Sequence, residues 1–521
     1  MMRRLVRGLA IAATLGAGAA CHRGPPPEPF TVLAGSELKD LEPYLEQIRK
    51  QTGVEVRFQY SGTLAGIDRL NAGETFDAVW FSHAKYLVLS DAGRNRVKAE
   101  ERIMLSPVVL GIKASKARAF GWVHGADVTW AGIAARVKSG ELHYAMTNPT
   151  ASNSGFSAVI GVAAALSRTA GALTETDINT EALRDFFRGQ ALTAGSSGWL
   201  AESYERDQDR LDGMINYESI LLSLNRSGRL HEPLVLVYPR EGIVTADYPL
   251  VLLNADRRSA YDRLVAYLKS PDFQRTLMTA TFRRPVNPDV PLDASFPRDL
   301  IVELAFPSRL AVVDRVLESY LSEQRRPAHS FFLLDVSGSM KGPRLDQLQR
   351  ALYTLAGDDS SLTGRFAQFQ PREVVSVLTF SDRIQDRREF TLGTGPQPAA
   401  TRVAVRQYVG GLQANGGTAI FSSLEETYQA ALAARRADPD RYVSIVLMTD
   451  GESNQGASLD DFRSFVTSLP PEARDIRVFP IIFGEADRRQ LDAIAALTGG
   501  RVFEGNSARL ASVFKEIRGY Q

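Results

Sequence analysis

The chain has 521 residues and a mass of 57.1 kDa, which at roughly 150 residues per domain predicts about three domain-sized units and excludes a single small binding module. With 44% hydrophobic, 23% charged and 9% aromatic residues, the composition is that of a folded globular chain. Lys+Arg 61 against Asp+Glu 60 gives a formal charge of +1, so nucleic acid is not expected as a partner, and the one cysteine, Cys21, excludes a disulfide framework and a cysteine-built zinc site.

The amino terminus predicts an export signal over residues 1–20. Arg3, Arg4 and Arg7 form a basic start. The apolar run from Gly8 to Ala20 is shorter than the ~20 residues of a membrane-spanning helix, and small residues close it. Gly18, Ala19 and Ala20 before Cys21 resemble a bacterial lipobox, although Gly18 stands where a Leu is usual. That resemblance implies acylation of Cys21 as the first mature residue; ordinary cleavage leaving a free Cys21 is the alternative. Residues 21–29, rich in proline, read as a tether that carries the chain on a lipid anchor. The expected location is the bacterial cell envelope, bound to a membrane and facing the periplasm or exterior.

From Phe30 the chain alternates strand and helix. Phe30 to Ser36 is an apolar strand ending in Gly-Ser, Val54 to Tyr60 alternates as a half-buried strand, and Phe76 to Ser82 is a third strand, with helical spacing between them. This βα order predicts a parallel sheet with helices on its faces. Ligands bind such sheets beyond the carboxyl ends of the strands, where helix N-termini offer unpaired N–H groups. Ser36, Ser61 and Thr63 fall at those junctions, Asn153 and Ser154 open the apolar helix that runs to Leu166, and Tyr217 ends a strand. Each Ser or Asn is also explained as a simple helix cap.

The Gly35-Ser36 turn, the segment Tyr60 to Thr63, the strand Asp77 to Phe81, the turn Asn148 to Gly155 and the segment Asn216 to Ser219 together resemble the class II periplasmic solute-binding proteins, particularly the molybdate and oxyanion group. The resemblance implies a two-lobed domain over residues 30–306, crossed twice by the chain. Lobe one would run from Phe30 to about Ile103 and return from about Asp247, and Ser36, Ser61, Thr63, Asn153, Ser154 and Tyr217 would meet a small solute or oxyanion in the cleft. An amino acid or sugar, or a cleft that serves only as a scaffold, stays open.

Residues 307–327 predict a connecting helix, Leu310 to Leu321, and a polar linker. A strand then ends in Asp335-Val-Ser337-Gly-Ser339, which sets three oxygen side chains on one tight turn. Thr418 lies on the Gly-rich loop after Asn415, and the strand Tyr442 to Thr449 ends in Asp450-Gly451. Carboxylate and hydroxyl oxygens with few charges suit a hard cation such as Mg²⁺. His329, just before the first of these strands, reads as a surface residue.

Over residues 328–521 this pattern resembles a von Willebrand factor type A domain, a doubly wound, Rossmann-like α/β fold. Asp335, Ser337, Ser339, Thr418 and Asp450 match its metal-ion-dependent adhesion site. The resemblance implies Mg²⁺ (or Mn²⁺ or Ca²⁺) as cofactor and a protein partner whose acidic side chain completes the metal shell. The expected fold class is α/β, a two-lobed solute-binding-protein fold followed by the A domain. The expected function is a membrane-anchored binding protein, the alternative being a solute receptor for a transporter with the A domain as docking module. With no nucleophile and base beside the cation, no enzyme is expected.

Overall fold

The computed structural model describes residues 28–123, 127–167, 171–297, 301–506 and 509–521, so the export signal and Cys21 lie outside the described residues. The strands of the first half are β1 (Phe30–Ala34), β2 (Val56–Tyr60), β3 (Ala78–Trp80), β4 (Ala99–Arg102), β5 (Met104–Lys113), β6 (Tyr144–Thr147), β7 (Gln190–Ala194), β8 (Gly213–Tyr217), β9 (Leu234–Val237), β10 (Thr245–Ala246), β11 (Pro249–Leu252) and β12 (Arg284–Pro285). They form two sheets, β2-β1-β3-β11-β4 in lobe one and β10-β5-β8-β6-β7 in lobe two, with β9 and β12 also paired to β5.

The βα order correctly gives β2, β1 and β3 as parallel neighbours. The expectation of a wholly parallel sheet is corrected: β11 runs antiparallel to both β3 and β4. The reason is topological, since β11 enters lobe one on the return from lobe two and therefore from the opposite end. The chain passes between the lobes near residues 103, 247 and 283, once more than the two crossings expected.

Lobe two is organised around the helix Asn153–Leu166, which is buried almost all round. Such an apolar helix needs cover on every side, and it receives it from the lobe-two sheet and from the helix Leu310–Ser319. Its first turn reaches the end of β6 because Gly155 has no side chain; a Cβ there would collide with the Thr147 carbonyl. The segment after it is docked rather than free: Tyr320 packs edge-on against Phe187 at 5.0 Å and its hydroxyl donates to Gln190 at 3.0 Å.

The carboxyl domain has one six-stranded sheet, β15-β14-β13-β16-β17-β18, with β13 (Ala328–Asp335), β14 (Val374–Phe380), β15 (Ile384–Thr391), β16 (Tyr442–Thr449), β17 (Arg477–Ile482) and β18 (Phe503–Glu504). All pairs are parallel except the edge pair β14 and β15. Central β13 is buried along its whole length, which is why it reads as a continuous apolar run. Phe331 and Leu333 face one layer of helices, whereas Phe332 and Leu334 join an apolar core continuous with that of the lobes. His329 is inside β13 and buried, its Nε2 2.9 Å from the Ser376 hydroxyl, so the surface reading is corrected. Burial pushes its pKa down to about 4.

Candidate metal centre and solute cleft

Parallel pairing of β13 with β16, in register at Leu334 and Met448, brings the ends of both strands side by side. Asp335 is wholly buried there. Its Oδ1 accepts the Ser337 amide at 2.8 Å and its Oδ2 accepts the Thr449 hydroxyl at 2.6 Å. Burial pushes the Asp335 carboxyl up, against the pull of those hydrogen bonds. The Ser337 and Ser339 hydroxyls are 3.0 Å apart, and Ser339 donates to Asp450 Oδ1 at 2.7 Å. The Ser337 residue therefore connects the two carboxylates, through its amide to Asp335 and through its hydroxyl and that of Ser339 to Asp450.

Thr418 reaches the same place on its own loop. Gly416, at φ 85°, turns the backbone in the left-handed region that favours glycine, and its carbonyl accepts the Gly338 amide at 3.0 Å. On the other side the Thr418 amide donates to the Asn454 side chain at 3.0 Å, while the Asn454 amide donates back to the Thr418 carbonyl at 2.9 Å. The loop is thus fastened to the strand ends of both Asp335 and Asp450. Thr418 Oγ1 lies 4.0 Å from the point where a side chain on Gly451 would begin. Sequence reasoning missed Thr449, Asn454 and Arg344. The Arg344 guanidinium, a third exposed, stands 2.5 Å from Asp450 Oδ2.

Two carboxylates and three hydroxyls at adjoining loops form an all-oxygen donor set of the kind Mg²⁺ accepts. No cluster of three or more His, Cys, Asp or Glu side chains suited to a metal occurs among the described residues.

In the first half, lobe one and lobe two touch across the cleft. A Cβ on Gly62 would lie 2.8 Å from the Ala151 carbonyl, and the His83 ring stands 5.1 Å from that of Phe156. Of the six residues assigned to the cleft, Ser36 is exposed and Ser61 half-buried. Thr63 and Tyr217 are buried, and their hydroxyls have no hydrogen-bond partner among the described residues. Asn153 is buried. Ser154 is buried and engaged within lobe two, 2.7 Å from the Ser197 hydroxyl and 2.9 Å from that of Thr147.

Buried polar groups without a hydrogen-bond partner among the described residues also include the Ser82, Ser157 and Tyr248 hydroxyls and both nitrogens of His83, none of which sequence reasoning assigned to the cleft. The available signal was position: Ser82 and His83 follow β3 as Ser36 follows β1 and Ser61 follows β2. Desolvation, reinforced by Lys85, pushes the His83 pKa down to about 3, which leaves a neutral imidazole. Arg283 is fully buried between Asp40, at 2.5 Å, and the Glu37 carbonyl, at 3.0 Å. A separate cavity of about 530 Å³ opens beside the crossings, lined by Arg102, Leu105, Asp247 and Pro285 among others.

Residues 30–283 match the family model for bacterial extracellular solute-binding proteins, and residues 331–516 match the von Willebrand factor type A domain. The chain joins an extracellular solute-binding domain to an A domain. Human inter-alpha-trypsin inhibitor heavy chain H3 is 26% identical over 200 residues, covering 37% of this chain and 20% of that protein. Pig heavy chain H4 is 29% identical over 133 residues, covering 25% and 13%. The chain therefore spans a fifth or less of the length of these curated relatives. Among solved structures, the periplasmic binding protein AfuA of Actinobacillus pleuropneumoniae, with fructose-6-phosphate bound, is similar at 13% identity and a TM-score of 0.44, over 57% of this chain and 98% of that one. A von Willebrand factor type A protein from Catenulispora acidiphila gives 21% identity and a TM-score of 0.30, over 38% and 43%. The two matches support a solute-binding region followed by an interaction module. Its extracellular solute-binding domain assigns it to the envelope or periplasm. Among the described residues no helix is long and apolar enough to cross a membrane.

Proposed function

We propose that the protein is a lipid-anchored envelope receptor whose A domain captures a protein partner through a divalent cation, Mg²⁺ or alternatively Mn²⁺ or Ca²⁺. Asp335, Ser337, Ser339, Thr418 and Asp450 would hold the ion. Bound there, the cation supplies an electrophilic site that an acidic side chain of a partner completes. The single observation that carries this reading is the hydrogen-bonded run at the paired strand ends, from Asp335 through the Ser337 amide, and from the Ser337 hydroxyl through Ser339 to Asp450. Hydroxyl ligands leave positive charge on the ion, whereas a fully carboxylate shell would neutralise it. The unpartnered buried hydroxyls between the lobes support a small polar solute or oxyanion in the cleft. Cys21 supplies the anchor.

Capture of an envelope protein by the full-length chain in Mg²⁺, lost in EDTA and lost in Asp335→Ala, is the expected result. Equal capture in all three conditions refutes the metal reading. Thermal shifts with molybdate, sulfate, phosphate, sugars and amino acids test the cleft, since a solute at 100 times its Kd adds about 2.7 kcal/mol. Release of Cys21→Ser from the membrane fraction tests the anchor.

A further inference from the structure

We propose that the A domain is a clamp that holds the two lobes closed on each other, and that lobe one is the part it can release. The A domain touches both lobes, lobe two around Arg518 to Tyr520 and at Arg477 and Gly499, and lobe one through the helix Leu362–Ala367. At lobe two, the Tyr520 ring packs edge-on against Trp199 at 4.9 Å and against the bare backbone of Gly195, where a Cβ would collide with it. A Cβ on Gly519 would lie 2.7 Å from that of Ala151, and Asn148 donates to the Arg518 carbonyl at 3.4 Å. Arg477 pairs with Asp207 and lies over Trp199, and Arg206 donates to the Gly499 carbonyl at 3.0 Å. This contact combines buried aromatic packing with an ion pair and two hydrogen bonds.

The hold on lobe one joins helix packing to polar contacts: the helix Thr63–Asn71 lies on Leu362–Ala367, and Tyr86 donates to Asp314, which pairs with Arg365. Asp68 belongs to the helix Thr63–Asn71, whose first turn lines the cleft. Its carboxylate accepts the Leu362 amide at 2.9 Å, the Thr363 amide at 2.7 Å and the Thr363 hydroxyl at 2.5 Å, so a side chain of lobe one caps the A-domain helix Leu362–Ala367. Lys515, on the helix Leu510–Arg518, donates to the same Thr363 hydroxyl at 3.1 Å. A continuous path therefore runs from Asp68 through Thr363 and Lys515 to Gly519 and Tyr520. It ends on Ala151, whose carbonyl faces Gly62 of lobe one. Separating the lobes moves Gly62 and Asp68 together, away from a lobe two that stays fixed to the A domain.

Two of the crossings carry backbone strain. Tyr248, at φ 39°, and Phe282, at φ 53°, sit at two of the three passages in a backbone region that side chains other than glycine avoid. Contacts elsewhere must hold that geometry, and the Asp68 cap is one that a single substitution removes.

The test uses the full chain carrying Cys21→Ser, which leaves it free of cysteine, with spin labels at Lys50→Cys in lobe one and Lys138→Cys in lobe two, both on exposed side chains. Neither metal nor solute is added, so the outcome is independent of what the metal centre or cleft binds. The expected result is one short interlobe distance in the parent chain. Asp68→Ala adds a longer one and shifts the closed-to-open ratio at least about tenfold, the size of one charge-assisted hydrogen bond. Asp68→Asn, which keeps a capping oxygen, restores the short distance. Thr363→Val combined with Lys515→Ala cuts the same path from the A-domain side and opens the lobes likewise, which keeps the test intact should Asp68→Ala fail to fold. An unchanged single distance in the folded variants, or an open parent chain, overturns the clamp.

Discussion

Asp335→Asn separates the metal centre's binding role from its role in the fold. The two oxygens of Asp335 accept one amide and one hydroxyl, from Ser337 and Thr449. Asparagine matches the shape: its oxygen takes the Ser337 amide, and the Thr449 hydroxyl reverses to accept from the new NH₂. The substitution replaces charge-assisted bonds with neutral ones but also relieves a wholly buried charge that faces Asp450. These effects oppose each other, so the metal-free protein should change by no more than about 1 kcal/mol. The effect of Mg²⁺ is different in kind. A cation at 100 times its Kd stabilises the parent domain by about 2.7 kcal/mol, and a domain of this size gains on the order of 2–4 °C in Tm per kcal/mol. Thermal scans with and without Mg²⁺ should therefore show a shift of roughly 5–11 °C in the parent chain, and none in Asp335→Asn, from nearly equal metal-free midpoints. A variant that keeps the Mg²⁺ shift refutes the assignment of Asp335 to the ion.

Three further outcomes follow from named contacts. Arg344→Gln removes a third-exposed positive charge 2.5 Å from Asp450 Oδ2, and titration calorimetry should find Mg²⁺ binding tightened several-fold, on the order of 1 kcal/mol after solvent screening. Glu373 is buried between Arg325 and Arg518; burial alone would raise its pKa, but the two guanidiniums hold it below the usual range. Glu373→Gln strands both cations at a cost of about 3–5 kcal/mol in urea unfolding, and in the parent chain this stabilisation is present above the unfolded carboxylate pKa and lost as pH falls through the folded one. His83 and His329 have folded pKa values pushed down to about 3 and about 4. The unfolded chain takes up their protons first, so stability should fall as pH drops below about 6.5, by about 2 kcal/mol for each at pH 5. His329→Gln should remove about half of that loss in urea titrations at pH 7 and pH 5.

The meeting of the candidate metal-centre residues was legible because they occupy three short segments, each next to an apolar strand or a glycine-rich loop that signals its own position. Asp335 and Asp450 end β13 and β16, and parallel pairing of those strands is the ordinary outcome of βα order. Thr449 and Arg344 were not legible, since a threonine inside a strand and an arginine in a first helical turn have many commoner uses. The cleft was legible to a lesser extent. Thr63 and Tyr217 follow the strand-end rule and carry unpartnered hydroxyls, but Ser82, with its hydroxyl, and His83, with its two ring nitrogens, do likewise, and the same rule could have named them. Ser154 finds its partner in Ser197, 43 residues away on another helix, and no local pattern encodes that meeting. The direction of β11 depends on where the chain re-enters lobe one, which is a property of the whole path.

The grip of the A domain on the lobes is the part sequence conceals most, for a physical reason. A glycine in a sequence reads as a turn or a helix end, and Gly195 and Gly519 have no pattern around them that says otherwise. In the structure each is small because something large lies against it: the Tyr520 ring on Gly195, and Ala151 on Gly519. Asp68 reads as a solvated acid on an exposed helix face, yet its oxygens cap a helix almost 300 residues further along. Such contacts arise only once both surfaces are folded, so neither carries a signal alone. Their effect is that the turn Asn148 to Ala151, which borders the cleft, is shaped by the carboxyl domain as much as by its own lobe. Solute affinity measured on the first 306 residues alone would therefore describe a cleft whose bordering turn has lost that support.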